Sequence, residues 1–480
     1  MAATNSLPPW VTMYRNVDLS GLSVEKAQEW GEVRCPRRKA YGCGEHGQKL
    51  VEGLTLLARF VDPPNLTTYL RIRLNDQAVQ IIQAEFGMGD KPLVKIGEKG
   101  GLRATGCVRH AGDGLVFVAL FFSIGYYDDH IYYLVYDARA PGSLSMTRHV
   151  PKYCLSSLTS TTLPVRREDG VHLLLLARVV RPEFEEQGLL PKDVVLCSCP
   201  PSSSCSSTAN SASIVGPWQL QKQRFLGQEP KPLSRHVAFS FEGQAFWVDL
   251  TQGVVCCSFV GDDRSQAHFD FIPLPKEFQL DSDILLLEVT SHAAAAADAL
   301  EIPVTMVRTM GHFKGSLMFV SIGHSGRPRD RMVTVLTHHL DHSRRHLGWC
   351  KAFEFSVSSL WNMDVFRRAN LPRREPKCPV LTPDGALCFL IPCKVKINRD
   401  GSINDDHVCI LDMYFMRILS VGHACNYCAD GPIFVPHSFF ESLNPLTAPS
   451  NTADPLVPPK RNILSKTNFP SKTDLWSTAL

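Results

Sequence analysis

The sequence predicts an all-β protein, a β-propeller-like array of small antiparallel sheets with short helices in loops and disordered ends. Three observations carry that expectation. Apolar runs of strand length are bounded by Gly, Pro, Asp or Asn. A strand–turn–strand–turn–strand unit recurs along the chain. The 480 residues are 44 % hydrophobic and 20 % charged, an ordinary globular balance that can build a large core.

The units run in order along the chain. Leu115–Ile124 precedes a hairpin over Tyr132–Met146, and Gly170–Val180 precedes one over Val194–Leu220. Arg235–Phe241 precedes AFWVDLTQGVVC (Ala245–Cys256). Ser316–Ile322 precedes Met332–Phe355, and Ala386–Pro392 precedes Val408–Val421. Asp137, Asp249 and Asp412 stand before the turns of three hairpins. Such a carboxylate accepts hydrogen bonds from amides two residues on and closes the bend. Their repetition reads as a turn role at equivalent positions, not a catalytic one. Five similar units in series favour radial repetition over a sandwich, because each small sheet then buries both faces on its neighbours. Their spacing of roughly 50–90 residues is wider than that of regular blades, so the loops have grown.

One helix interrupts the pattern at Ser358–Ala369, where Leu360 and Met363 follow a serine cap. Residues 31–50 read as poorly ordered. Ser202–Ser213 reads as a Ser-rich loop and His292–Ala299 as a variable insertion. The resulting division is an N-terminal strand and flexible segment over 1–50, a single propeller-like domain over 51–440, and a disordered tail over 441–480.

The net charge of +3 implies no polyanion partner. The N-terminal segment lacks a charged region followed by an apolar one, and the longest apolar runs fall short of the ~18–20 residues a spanning helix needs. A cytoplasmic or nuclear location is therefore expected, with no membrane partner. The 16 cysteines then read as reduced, mostly buried thiols.

Several motifs invite chemistry. Gly42–Gly47 (GCGEHG) matches G-x-G-x-x-G, but RCPRRKA before it does not read as a strand, so a flexible loop is expected. His423, Cys425 and Cys428 are the candidate metal ligands. Zinc would want a fourth ligand, and the reading taken is a turn with incidental thiols. His338, His339, His342 and His346 around Asp341 read as a solvated hairpin loop, where helical spacing has no meaning. Arg367, Arg368, Arg373, Arg374 and Lys377 lack aromatic interleaving, so no nucleic acid is expected there. Gly323–Arg327 (GHSGR) misses the last glycine of a nucleophile elbow. No catalytic or cofactor-binding residue is assigned, and no cofactor is expected.

Three stretches together resemble a family. LPPWVTMYRNV (Leu7–Val17), RHVAFSFEGQAFWVDLTQGVVCC (Arg235–Cys257) with FDFIPLP (Phe269–Pro275), and Ser358–Ile391 follow the order and spacing of the plant proteins grouped as domain of unknown function 1618. The resemblance covers about residues 7–435 and implies no agreed activity. Some relatives resemble F-box-type proteins that present substrates for ubiquitin ligation. The first 60 residues here lack the leucine-rich amphipathic helices of an F-box. The expected function is a non-enzymatic scaffold that binds a protein or peptide through propeller loops. The alternatives are a ubiquitin-ligase substrate receptor and a hydrolase using the central pocket.

Overall fold

The computed structural model describes residues 10–19, 30–60, 67–87, 102–124, 127–139, 142–150, 155–157, 162–179, 194–200, 217–222, 236–259, 267–281, 284–287, 300–323, 328–340, 348–392, 406–424 and 433–436. Residues 202–213, 292–299 and 441–480, expected to be loops or tail, lie outside them.

Six sheets of four to six strands form a six-bladed propeller. Blade one contains Leu102–Gly112, Leu115–Ile124, Tyr127–Asp137 and Ser143–Arg148, flanked by Asn16–Val17 and Arg37–Tyr41. In blade two, Leu155–Ser157 and Leu163–Arg167 both pair with Gly170–Val179, and Val194–Cys199 and Gln219–Lys222 follow. Blade three is Val237–Phe241, Gln244–Asp249, Gly253–Phe259 and Ala267–Pro273. Blade four is Arg308–Phe313, Ser316–Ile322, Met332–His339 and Cys350–Ser356. Blade five is Lys377–Leu381, Leu387–Ile391, Asp406–Asp412 and Arg417–Ala424. A separate pair, Ile284–Leu287 with Leu300–Pro303, lies in sequence between blades three and four.

The sixth, closing blade joins the two ends of the described chain. Trp10–Met13 pairs antiparallel with Ile433–Pro436 and parallel with Thr67–Leu74, and Leu54–Phe60 and Gly31–Glu32 complete the sheet. The first strands of blades two, three, four and five lie against one another in succession, and Ile433–Pro436 lies against Leu102–Gly112. These strands form the inner ring.

The second strands of blades one to four show why the ring holds. In blade one, Val116, Val118, Leu120 and Phe122 join the core shared with the closing blade, while Leu115, Phe117 and Ala119 join the core shared with blade two. In blade two, Leu173 and Leu175 face blade one, and Leu174 and Leu176 face blade three. In blade three, Ala245 and Trp247 face blade two, and Phe246 and Val248 face blade four. In blade four, Leu317 and Phe319 face blade three, and Met318, Val320 and Ile322 face blade five. Alternating side chains point to opposite sheet faces, so a strand buried on both faces must be apolar without a break.

The structure corrects three details of the sequence reading. The units are four-stranded at least, and a sixth sheet uses the N-terminal strands. Residues 31–50 are ordered: Arg37–Tyr41 is a strand and helix α1 spans Gly44–Glu52. The strand escaped notice because RRKAY is an edge with no apolar alternation, and the helix because Cys43 gives it no side-chain cap. Helix α2, Asp76–Glu85, was missed although Asn75 caps it by accepting from the Ala78 amide at 2.8 Å. The expected serine-capped helix is present as two short pieces, α3 (Val357–Trp361) and α4 (Asp364–Arg368). Ser356 accepts from the Ser359 amide at 3.2 Å.

Trp247 is fully buried between blades two and three. Trp247→Ala is expected to lower unfolding free energy by about 3–5 kcal/mol, measured by urea denaturation. A loss under about 1 kcal/mol would mean that this interface does not hold the ring.

Candidate functional site

In an antiparallel blade the turns after the first and third strands emerge at one end. The turn after the second strand and the connection to the next blade emerge at the other. The first end carries the candidate face. In blade four the inner hairpin closes at Lys314-Gly315, with φ of 47° and 72°. That is the type I′ geometry, whose twist matches the strands and which needs glycine or an unstrained polar residue at positive φ. Asp113-Gly114 and Glu242-Gly243 close the inner hairpins of blades one and three the same way.

In blades one and five the turn after the third strand is fixed by aspartate. The Arg139 amide donates to Asp137 Oδ1 at 3.0 Å. The amides of Tyr414 and Phe415 donate to Asp412 Oδ1 at 3.0 and 3.1 Å. The Thr251 amide donates to buried Asp249 Oδ1 at 2.8 Å. The turn role expected for all three is therefore present, but their equivalence is not. Asp249 ends a second strand, so its turn lies at the opposite end. Counting three-strand units put blade three one strand out of phase with the others.

Contacts between blades tie this end together. The Arg166 guanidinium, at the end of the inner strand of blade two, donates to both oxygens of Asp137 at 2.9 and 2.8 Å. Its Nη2 also reaches the Asp113 carbonyl at 3.4 Å, and Arg139 pairs with the Asp113 carboxylate at 3.4 Å. Next round the ring, the His312 ring lies 4.2 Å from Phe241 and 5.5 Å from Phe239.

The feature that stands out at this end is aromatic. Phe415 is 75 % exposed and Tyr414 57 %, in the turn held by Asp412. Tyr414 packs on Phe353 of blade four at 4.9 Å and approaches Phe313 at 6.3 Å. The Lys314 ammonium lies 4.9 Å from the Phe313 ring centre, and the Arg417 guanidinium 5.4 Å from that of Phe415. These rings form an exposed aromatic patch flanked by two cations.

Nearer the axis, His110 and His312 stand on inner strands of blades one and four; both feel the charge of Asp113, and His110 also feels that of His312. Burial holds the His110 imidazole down to about 4. Asp113 opposes that shift, while His312 and Arg15 add to it. Burial lowers His312 as well, again against Asp113. Both rings are neutral at physiological pH.

The motifs singled out in the sequence lie elsewhere. Gly42–Gly47 does have a strand before it and a helix after it, contrary to expectation. A Cβ at Gly42 would stand 2.3 Å from the Pro217 ring, so the turn is covered by blade two. His423 belongs to the strand Arg417–Ala424, whereas Cys425 and Cys428 lie outside the described residues. Among the described residues no group of three or more His, Cys, Asp or Glu is placed to hold a metal ion. His338 and His339 are strand residues rather than loop residues. His338 packs on Trp349 at 5.3 Å, and His339 Nδ1 meets Ser316 Oγ at 2.9 Å. Asp341, His342 and His346 lie outside the described residues. Arg367 pairs with Asp364 at 2.7 Å, and Arg368 Nε donates to the Asp364 carbonyl at 3.4 Å. Arg373, Arg374 and Lys377 lie beyond α4, with Lys377 starting the inner strand of blade five. Sequence reading missed Tyr414 and Phe415, although two aromatics inside a polar turn were a visible signal.

Residues 247–388 match the family model described as protein of unknown function DUF1618. The match runs from the second strand of blade three to the second strand of blade five. It agrees with the family named from Arg235–Cys257 and Ser358–Ile391. No curated protein matches the chain. Among solved structures, the chain is similar to a variant of the apocarotenoid oxygenase of Synechocystis, with 11 % identity over 80 % of this chain and 72 % of that one, at a TM-score of 0.28. It is also similar to a xylan β-1,4-xylosidase from Bacillus halodurans, with 8 % identity over 67 % of this chain and 53 % of that one, at a TM-score of 0.22. Neither superposition is close enough to bear on fold or chemistry.

The depressed His110 has a consequence for pH. A histidine held below its unfolded value resists protonation only when folded. Its stabilising contribution is complete above about pH 6.5 and is lost as pH falls towards its folded value near 4. Urea midpoints of the wild type should fall more steeply across that window than those of His110→Gln. Equal slopes would show that His110 is not held neutral.

Proposed function

We propose that the protein is a non-enzymatic scaffold that binds a protein or peptide partner through the turns at the Asp137–Asp412 end of the propeller. The observation that carries this reading is the exposure of Phe415 and Tyr414 in a turn whose two amides donate hydrogen bonds to Asp412. A fixed turn presents its rings without a large ordering cost on binding, which is how aromatic anchors act at interfaces. Phe313, Phe353, Lys314 and Arg417 around them supply a rim of apolar and cationic groups.

The reading extends to compartment. Cysteines such as Cys197, Cys257 and Cys409 are free and buried, and burial pushes the Cys409 thiol up to about 12. Such thiols are small apolar fillers, which suits a reducing cytoplasm or nucleus. No helix among the described residues is long and apolar enough to cross a membrane.

Affinity purification from native tissue, run in parallel on wild type and Phe415→Asp, tests the proposal. A partner held by the wild type should be recovered about tenfold less on the variant, whose melting temperature should be unchanged because the ring is exposed. Equal recovery on both proteins would rule the aromatic turn out as the contact.

A further inference from the structure

Five of the six interfaces in the ring are built alike, and the sixth is not. From the closing blade round to blade five, each interface has an apolar core drawn from both neighbours. The third strands show the consequence. Residues 132–136 of blade one, 195–197 of blade two, 253–257 of blade three and 333–336 of blade four are buried without a break. In blade five the third strand alternates instead. Cys409 and Leu411 are fully buried towards blade four, while Val408 and Ile410 on the other face are half-buried. Such alternation marks a sheet with one packed face and one wetter face.

That wetter face of blade five carries a core of two buried residues, Cys378 and Leu390, with Val408 and Met306 packed on them. Met306 comes from the turn Val304–Met306 ahead of blade four, not from the closing blade. The wall opposite is polar. In the closing blade, Leu54, Leu56 and Ala58, with Leu70 and Ile72, turn to the core shared with blade one. The face behind them, which the ring turns towards blade five, carries Thr55, Arg59, Tyr69, Arg71 and Arg73 around one aliphatic residue, Leu57. The Arg71 guanidinium lies 4.3 Å from the Trp30 ring centre and pairs with Asp18. That of Arg59 lies 5.8 Å from Trp30 and 5.5 Å from Tyr69. Both cations are held by groups of their own end of the chain. A dry contact with blade five would strip water from them and from exposed Arg73. Little apolar area is left to hold this interface shut.

We propose that the propeller opens at the interface between blade five and the closing blade. The two blades part as units while the other five interfaces stay shut. The pairing of Trp10–Met13 with Ile433–Pro436 lies within the closing blade and stays intact, as does the Tyr414–Phe353 contact between blades four and five. Interfaces with little apolar burial are where native proteins open below the free energy of global unfolding. Two thiols of blade five report on the opening. Cys388 and Cys409 are both fully buried, on neighbouring strands. Cys409 faces blade four with Leu387 and Phe389, whereas Cys388, between those two in sequence, turns to the closing blade.

Labelling of the native full chain with N-ethylmaleimide, read by peptide mass spectrometry over a urea series, tests this. Without urea Cys388 should label about a hundredfold faster than Cys409. It should also outpace Cys197, in the core between blades one and two, and Cys257, in the core between blades two and three. As urea rises the Cys388 rate should climb only weakly until the global transition, where the other three converge on it. Equal rates for Cys388 and Cys409 without urea would overturn the proposal. So would Cys197 or Cys257 labelling as fast as Cys388. The wild-type chain carries all four thiols, so the measurement needs no substitution.

Discussion

The structure depends on the double burial of the second strand in blades one to four. Leu173 to Ala177 send alternate side chains into two different cores, and so do Ser316–Ile322 and Ala245–Val248. None of these four strands has a solvent face, so none of the four blades can satisfy its apolar surface without both neighbours. Stability is then a property of the ring rather than of any sheet. The closing blade makes the ring complete by pairing Trp10–Met13 with Ile433–Pro436, which joins segments from the two ends of the described chain. The same double burial explains the cysteines. Cys197 and Cys257 sit where small apolar volume is needed, and desolvation raises both thiols.

With the second strands committed to ring closure, the turns carry the exposed side chains. At one end the turns are short and locked, by positive φ at Lys314-Gly315 and by carboxylate caps at Asp137 and Asp412. Short locked turns hold their side chains in fixed places, so an exposed ring there is already ordered. The other end carries the turn after each second strand and the links between blades, such as Lys276–Phe278 and Val304–Met306. Its irregular backbone offers carbonyls, and Arg308 uses two of them.

Much of this was legible in the sequence, and what was not has physical reasons. Doubly buried strands read as continuous apolar runs, so Leu115–Ile124, Ser316–Ile322 and Leu387–Ile391 were found. The Asp turns were legible because their chemistry is local. Inner strands were harder. Arg308–Phe313 and Leu102–Gly112 carry Arg, His and Gly, and their partners come from other blades, which no local pattern reveals. The missed signal was the hairpin turn itself. HAGDGL, SFEGQ and HFKGS each place an X-Gly turn just after an inner strand, and aligning the units there puts blade three in phase. His110 and His312 then fall two or three residues before the turn in blades one and four, which would have marked the axis.

Arg166 and Arg308 show how one residue type serves opposite ends. Both sit on inner strands, both reach a neighbouring blade, and in both Nε is buried without an acceptor. Arg166 spends its remaining donors on both oxygens of Asp137, so the pair is neutral and the latch complete. Arg308 could have been matched the same way, since Asp249 is adjacent in sequence to the Leu250 carbonyl it binds. Asp249 instead takes the Thr251 amide and hydroxyl at 2.8 and 2.5 Å and Gln252 Nε2 at 3.2 Å, which commits its carboxylate to the turn. The fold thus holds a carboxylate one residue away and directs it elsewhere.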